Sequence, residues 1–577
     1  MKRHHLVWVL LLCLACNLVI PPTSPSPPPA TAMPSFTPTP TVMPTPSPSP
    51  TPVPPTATPS PVPTPLPQGP GLEPEEVHFF PQPLYAGDWV SVDVDPRLPE
   101  DVGGPLTLTW TLADGTTLTT PVDVMGLDER LQARFYWAWR LPEATAAIPF
   151  TFTLLLPPAV FDPDPADNTL TLTITPLPAA ARPVPEQLAH WEQTQLPGVR
   201  LHYLTASAAE RDLPAITAIV EAAYADVTAR FGASSEALDI YLLDRVIGQG
   251  GYASWEWVAV SYTDRQYTPI NLEMVLRHEL THRLDAALGC QTAPSVVREG
   301  LAVYIAGGHY WAGPLVRDAA ALRTSAYYIP LAQLAENFYT QQHEIGYREA
   351  GALIAYLVER HGWEALETFC RAPALDETDA RAWLDTALRA LGEPDWQTFA
   401  RQWEAWLDAQ PTQPQDLARL GVELRLMETL RAYQLAYDPG AHFLEGILFS
   451  PQEGARANIT ADFVRHPREA EPVTLELLLM MTLEAMSRDA LATAETLLAT
   501  VENVLANGFP KTGLAADVRA LVTAALAQGY EPYHLTARLD GSYEVEALVY
   551  AAWPSQRVLL ATPTAGSWSL TPLSLSD

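Results

Sequence analysis

Three changes of pattern along the 577 residues predict a multidomain chain: an N-terminal β-sandwich, a central α+β domain and a C-terminal α+β domain. Through residues 89–94, 106–112 and 170–174 apolar and polar side chains alternate, the period of half-buried strands. From residue 186 short apolar runs give way to helical spacing. After Pro411-Thr412-Gln413-Pro414 long helical patterns lead into a last group of strand-like runs. At about 100–200 residues per domain, this length holds three or four units. Hydrophobic residues make up 47% of the chain, enough for a core in each.

Lys2-Arg3-His4-His5, an apolar run to Leu14 and then Ala15-Cys16 open the chain. A basic start, a short apolar stretch and a small residue read as a secretory signal over residues 1–20, too short for a spanning helix. Leu14-Ala15-Cys16 resembles the end of a bacterial lipoprotein signal. That implies a lipid anchor at Cys16 and a place at the bacterial cell surface, on the outer face of the cytoplasmic membrane. Cys13 stands where such signals usually have Leu, so ordinary cleavage and an uncleaved anchor are the alternatives. Residues 21–72 form a linker rich in Pro, Thr and Ser; more than a third of the 58 prolines fall there, with no charged residue before Pro70. Such a segment has nothing to bury and is expected to be an extended, polyproline-like spacer.

Acidic residues number 66 against 34 basic ones, a formal charge of -32. Nucleic-acid phosphates repel such a chain, and no basic stripe offsets this, so nucleic acid is excluded as a partner.

Residues 73–178 carry the alternating strands, separated by turn signals at Asp114-Gly115 and Asp162-Pro163-Asp164-Pro165, which predicts a seven-stranded sandwich. Pro83-Leu84-Tyr85-Ala86-Gly87-Asp88 and Asp167-Asn168 resemble the CARDB-type immunoglobulin-like adhesion modules of bacterial surface proteins. The resemblance implies either a binding module or a bead that presents the next domain.

Residues 186–410 hold the informative segment. Residues 238–243 read as a strand, 248–251 as a loop and 257–262 as a second strand. Asn271 is a good N-cap for a helix over 273–285, and Gly289 is a natural stop. Inside that helix lies His278-Glu279-Leu280-Thr281-His282, the pattern HExxH. Helical residues four apart lie about 40° apart around the axis, so both imidazoles face one way and can share a metal ion. Imidazole nitrogen suits Zn²⁺. Glu279, beside the first ligand, can take a proton from a zinc-activated water without itself being a ligand. A catalytic zinc needs a third protein ligand. Glu299 stands 17 positions beyond His282 in Val297-Arg298-Glu299-Gly300-Leu301-Ala302, itself a helical pattern. Asp285, three residues after His282 on the same helix face, is the rival third ligand.

These two motifs resemble the gluzincins, specifically the peptidase MA-like families, in which HExxH is followed by a second helix with Glu in an EGLA-like setting. The resemblance makes the centre a gluzincin-like metallopeptidase domain. It implies one catalytic zinc ion bound by His278, His282 and Glu299, with Glu279 as general base and a peptide or protein as substrate. It also makes the strand at 257–262 the edge that pairs with an extended substrate. Those families carry a tyrosine opening a later helix, which Tyr347 matches; its phenol would stabilise the oxyanion, with His343 as the alternative donor. His309 and His361 read as ordinary surface or core histidines. No acid stands four residues after Glu299 to orient a ligand imidazole. Aminopeptidase relatives carry Gly-x-Met-Glu-Asn; Gly248-Gln249-Gly250-Gly251-Tyr252 replaces it here, which favours an endopeptidase. Cys290 and Cys370, the cysteines outside the signal, could form a disulfide in an exported protein or remain two buried thiols.

Residues 411–577 read as an α+β domain of unknown role. Helical patterns run over 417–437, 473–486, 489–507 and 514–528, with strands at 543–550, 557–561 and 568–573 and a hairpin signal at Asp540-Gly541. The expectation is an exported zinc-dependent peptidase. The alternative is a non-catalytic surface binding or adhesion protein built on a degenerate peptidase fold.

Overall fold

The computed structural model describes residues 69–98, 105–125, 130–232, 237–248, 250–374, 379–442, 446–553, 555–564 and 567–573. The expected signal, Cys16 and most of the linker lie outside the described residues. Among those described, no helix is long and apolar enough to cross a membrane.

Seven antiparallel strands come first: β1 (Val77–Phe80), β2 (Trp89–Val94), β3 (Leu106–Thr111), β4 (Thr117–Met125), β5 (Arg130–Arg140), β6 (Ile148–Leu155) and β7 (Thr169–Ile174). Their order is β1-β2-β5-β4-β3-β6-β7. β4 and β5 pair only at Asp123–Met125, so the two halves separate beyond that point and pack face to face. The alternation in β3 turns Leu106, Leu108 and Trp110 inward. Trp110 meets Phe135 of β5 edge-on at 5.4 Å and stacks on Phe152 of β6 at 5.6 Å. β3 and β5 are not neighbours in this order, so the Trp110–Phe135 contact closes one apolar core between the halves.

A mixed sheet follows, formed by β8 (Trp191–Leu196), β9 (Val199–Leu204), β10 (Leu238–Leu243), β11 (Gly251–Ala253) and β12 (Trp257–Ser261) in the order β11-β12-β10-β9-β8. β9, β10 and β12 are parallel, and β8 and β11 flank them antiparallel. Every residue of β10 is buried, as expected of a parallel strand covered on both faces. Leu238, Ile240 and Leu242 face helix α1 (Leu213–Phe231) and helix α2 (Leu272–Leu284). Tyr241 and Leu243 face Ile447, Phe449 and Phe463 from further along the chain. The sequence placed the free edge at 257–262. Instead β12 is paired on both sides, because Gly251, Tyr252 and Ala253 form a short outer strand against Val260, Ala259 and Val258. Three residues with a glycine are too few to show a period, so β11 read as loop.

Helix α3 (Ser295–Ala306), the ribbon β13 (Gly308–His309) and β14 (Trp311–Ala312), and helix α4 (His343–His361) complete this part. A Cβ on Gly300 would lie 2.5 Å from the Ala350 carbonyl oxygen, and one on Gly351 would lie 2.5 Å from Val303 Cγ1. The two glycines therefore permit α3 and α4 their close approach. A Cys290–Cys370 disulfide ties the connection between α2 and α3 to the helix Ala365–Arg371.

The last third holds α5 (Pro414–Tyr437), α6 (Ala470–Ser487), α7 (Leu491–Asn507) and α8 (Leu514–Leu526). These lead into an antiparallel sheet of β15 (Glu531–Ala537), β16 (Tyr543–Leu548), β17 (Gln556–Thr564) and β18 (Ser567–Pro572) in sequential order. β15 went unread in the sequence. The first and last thirds meet directly. A bulge opposite Val90–Val92 leaves Trp137 of β5 at φ 40°, turned outward to stack on Phe449 at 5.3 Å. Its indole N–H donates to Asp462 Oδ2 at 2.7 Å.

Candidate metal centre

The Asn271 side chain caps α2, its Oδ1 accepting from the Met274 amide at 3.1 Å. Leu276 and Leu280 bury one side of the helix in the core, which turns His278 and His282 toward α3. There Glu299 is 1% exposed and meets both imidazoles. Glu299 Oε2 lies 3.2 Å from His278 Nε2 and 3.3 Å from His282 Nε2, and the two nitrogens are 3.2 Å apart. Among the described residues these three form the one group of His, Cys, Asp and Glu able to hold a metal ion.

The donors fit zinc. Four ligands arranged tetrahedrally at 2.0–2.1 Å are separated by about 3.3–3.4 Å, close to the spacing seen here. Two ring nitrogens and a carboxylate oxygen also make a donor set that zinc prefers. Burial disfavours charge on Glu299, yet His282 and then His278 beside it reverse this and hold its carboxyl well below the usual range. Burial likewise works against a charged His282, and the Glu299 carboxylate overcomes it, leaving that pKa raised.

Asp285 is not part of the group: its Oδ2 accepts from Arg298 Nε at 3.0 Å, a link between α2 and α3. Glu279 is 3% exposed, and desolvation raises its pKa against the pull of the two histidines. It packs on the outer strand: a Cβ on Gly251 would come within 3.1 Å of Glu279 Oε1. The same Cβ would lie 2.5 Å from Val275 Cγ1, so a larger residue at 251 would press on Val275 first and on Glu279 with it.

Tyr347 is 1% exposed on the first turns of α4. Its ring lies 6.3 Å from that of His278, 4.4 Å from His309, 4.2 Å from His343 and 4.9 Å from Phe338. His343 Nε2 is engaged at 3.0 Å by His309 Nε2 and at 3.1 Å by the Tyr310 hydroxyl. Burial drives both imidazoles well below their ordinary pKa. His309, read from the sequence as an ordinary histidine, is part of the wall behind Tyr347. The ribbon β13–β14 delivers it, with Tyr310 at its tip in the left-handed region at φ 63°. His361 is ordinary, bonded to Glu393 at 2.8 Å. Sequence reasoning also missed Tyr339, whose hydroxyl donates to Glu299 Oε1 at 3.1 Å. Neither Tyr310 nor Tyr339 lies on a periodic element that points at the metal group; the paired glycines before His309 were the one local signal.

No family model and no curated protein matches the chain. Among solved structures it is similar to native leukotriene A4 hydrolase from Saccharomyces cerevisiae at 12% identity and a TM-score of 0.28, over 75% of this chain and 86% of that one. A second structure of the native yeast enzyme gives the same values. An aminopeptidase N family protein from Idiomarina loihiensis matches at 12% identity and a TM-score of 0.24, over 57% of this chain and 75% of that one.

Proposed function

We propose that the chain is an exported zinc-dependent peptidase that cuts within polypeptides. The observation that carries this is the triangle of donor atoms from His278, His282 and Glu299, spaced 3.2–3.3 Å apart with Glu279 beside it. A zinc ion held there supplies Lewis-acid polarisation and lowers the pKa of water in the site toward about 7. Glu279 accepts the proton of the attacking water and passes it to the departing amine. Its carboxyl is buried beside the donor atoms and carries no metal-ligand duty, which leaves it free for that exchange. The Tyr347 phenol donates to the oxyanion that develops on the substrate carbonyl. β11, the outer strand of its sheet, offers backbone groups to an extended substrate, and Gly251 keeps Glu279 within reach of it.

β11 carries Gly251, Tyr252 and Ala253 and no acid to capture a free amino terminus, which favours internal cleavage. Export through the residue 1–20 signal, an anchor at Cys16 and a spacer over 21–72 would present the enzyme at the cell surface. The Cys290–Cys370 disulfide suits that oxidising location.

The experiment pairs one unstructured peptide with an acetylated and a free amino terminus, incubated with the full chain. Internal cuts in both, abolished by a chelator and restored by zinc, are expected. Trimming of the free peptide alone would make the enzyme an aminopeptidase. No cleavage by zinc-loaded protein would leave the non-catalytic surface protein.

A further inference from the structure

The Glu299 carboxylate is divided between two duties. Oε2 points at His278 and His282, while Oε1 accepts the Tyr339 hydroxyl at 3.1 Å. We infer that Tyr339 is a positioning residue for the metal: its phenol holds Oε1 away from the ion so that Glu299 binds through Oε2 alone. The inference rests on the zinc reading above.

A carboxylate free to rotate can offer a metal either oxygen or both. A hydrogen bond to one oxygen fixes the orientation of the other, which is how partners beyond the ligands tune metal affinity. Tyr339 is well placed to be rigid. It lies in the short turn Phe338–Thr340, immediately before α4, and its ring packs edge-on against Phe338 at 5.2 Å. Phe338 in turn packs on Tyr347 at 4.9 Å. One turn therefore supports the third ligand through Tyr339 and the oxyanion donor through Phe338. Keeping Glu299 monodentate would also preserve the open position that hydrolysis needs.

The test compares zinc affinity, measured against a competing chromophoric chelator, in the full-length chain and its Tyr339→Phe, Glu299→Gln and doubly substituted forms. Tyr339→Phe removes the hydroxyl and keeps the ring, so the apo protein should melt at the parent temperature while zinc affinity falls about 10–100-fold. In the Glu299→Gln background the same change should cost much less, because the group it acts through has been altered. Unchanged affinity in Tyr339→Phe, with tight zinc binding by the parent, would overturn the positioning role alone. An equal loss in both backgrounds would show that Tyr339 acts by another route and also overturn it. A parent that binds no zinc would remove the proposed function and this inference together.

Discussion

Two largely buried clusters of charged and polar side chains in this molecule are completed differently. Where the first and last thirds meet, Arg465 is 2% exposed and donates to Asp88 Oδ2 at 2.8 Å, to Glu186 Oε2 at 2.9 Å and to the Pro83 carbonyl at 2.6 Å. Arg182 adds a second cation at 2.8 Å from Asp88 Oδ1. Donors meet acceptors there, and two guanidiniums stand against two carboxylates. Between α2 and α3, two imidazole nitrogens and a carboxylate oxygen converge to 3.2–3.3 Å, three atoms that all offer lone pairs when each ring is neutral with its proton on Nδ1. That arrangement would be completed by a cation. Counting the sign of each group therefore separates a charge-balanced lock from a set of converging acceptors.

Substitutions in the two clusters should accordingly fail in different assays. Glu279→Gln should lower kcat by about 10²–10⁴-fold while zinc content and melting temperature stay at parent values, since the amide cannot accept the proton. Turnover of a cleavable peptide at the parent rate would remove Glu279 from the mechanism. Arg465→Ala should do the reverse. Stranding Asp88 and Glu186 should destabilise the fold by about 3–5 kcal/mol, read by denaturant unfolding, with zinc still bound. Zinc loss without destabilisation would mean that the two clusters are coupled.

Tyr347→Phe should reduce kcat by about 10²–10³-fold with zinc retained; normal turnover would leave the tyrosine as packing between His309, His343 and Phe338. The smallest effect is expected at Asp462, fully buried beside the Trp137 indole, where desolvation pushes the carboxyl up to about 7. An acid with its folded pKa raised binds more protons folded than unfolded, so stability declines as pH rises from about 4 to about 7. Asp462→Asn should therefore raise the melting temperature at pH 8 by a few degrees and change it far less at pH 5. An equal change at both pH values would contradict that origin.

What could be read from the sequence follows the range of the physical signal. HExxH is a single-turn pattern, and Glu299 sits on a helix whose apolar spacing is plain, so both were visible. The long helices were visible for the same reason: the pattern at 417–437 became Pro414–Tyr437, and that at 473–486 became Ala470–Ser487. β2 was placed residue for residue, although Ser91 and Asp93, read as its outward positions, are as buried as its valines. β11 was lost because pairing, not periodicity, makes it a strand, and with it the identity of the sheet edge. Tyr339, Tyr310 and His309 reach the site through a turn and a two-residue ribbon, whose directions depend on tertiary packing. Which acid lies beside the two histidines was likewise tertiary: the approach of α3 to α2 brings Glu299 to them and leaves Asp285 on Arg298.

Zinc content of the full-length protein, purified without added metal beside His278→Ala and Glu299→Ala, tests the central claim most directly. One zinc per chain in the parent, lost from both variants, is the predicted result. Zinc retained in Glu299→Ala would contradict the ligand set, and a parent that takes up no zinc even on reconstitution would contradict the metal centre itself.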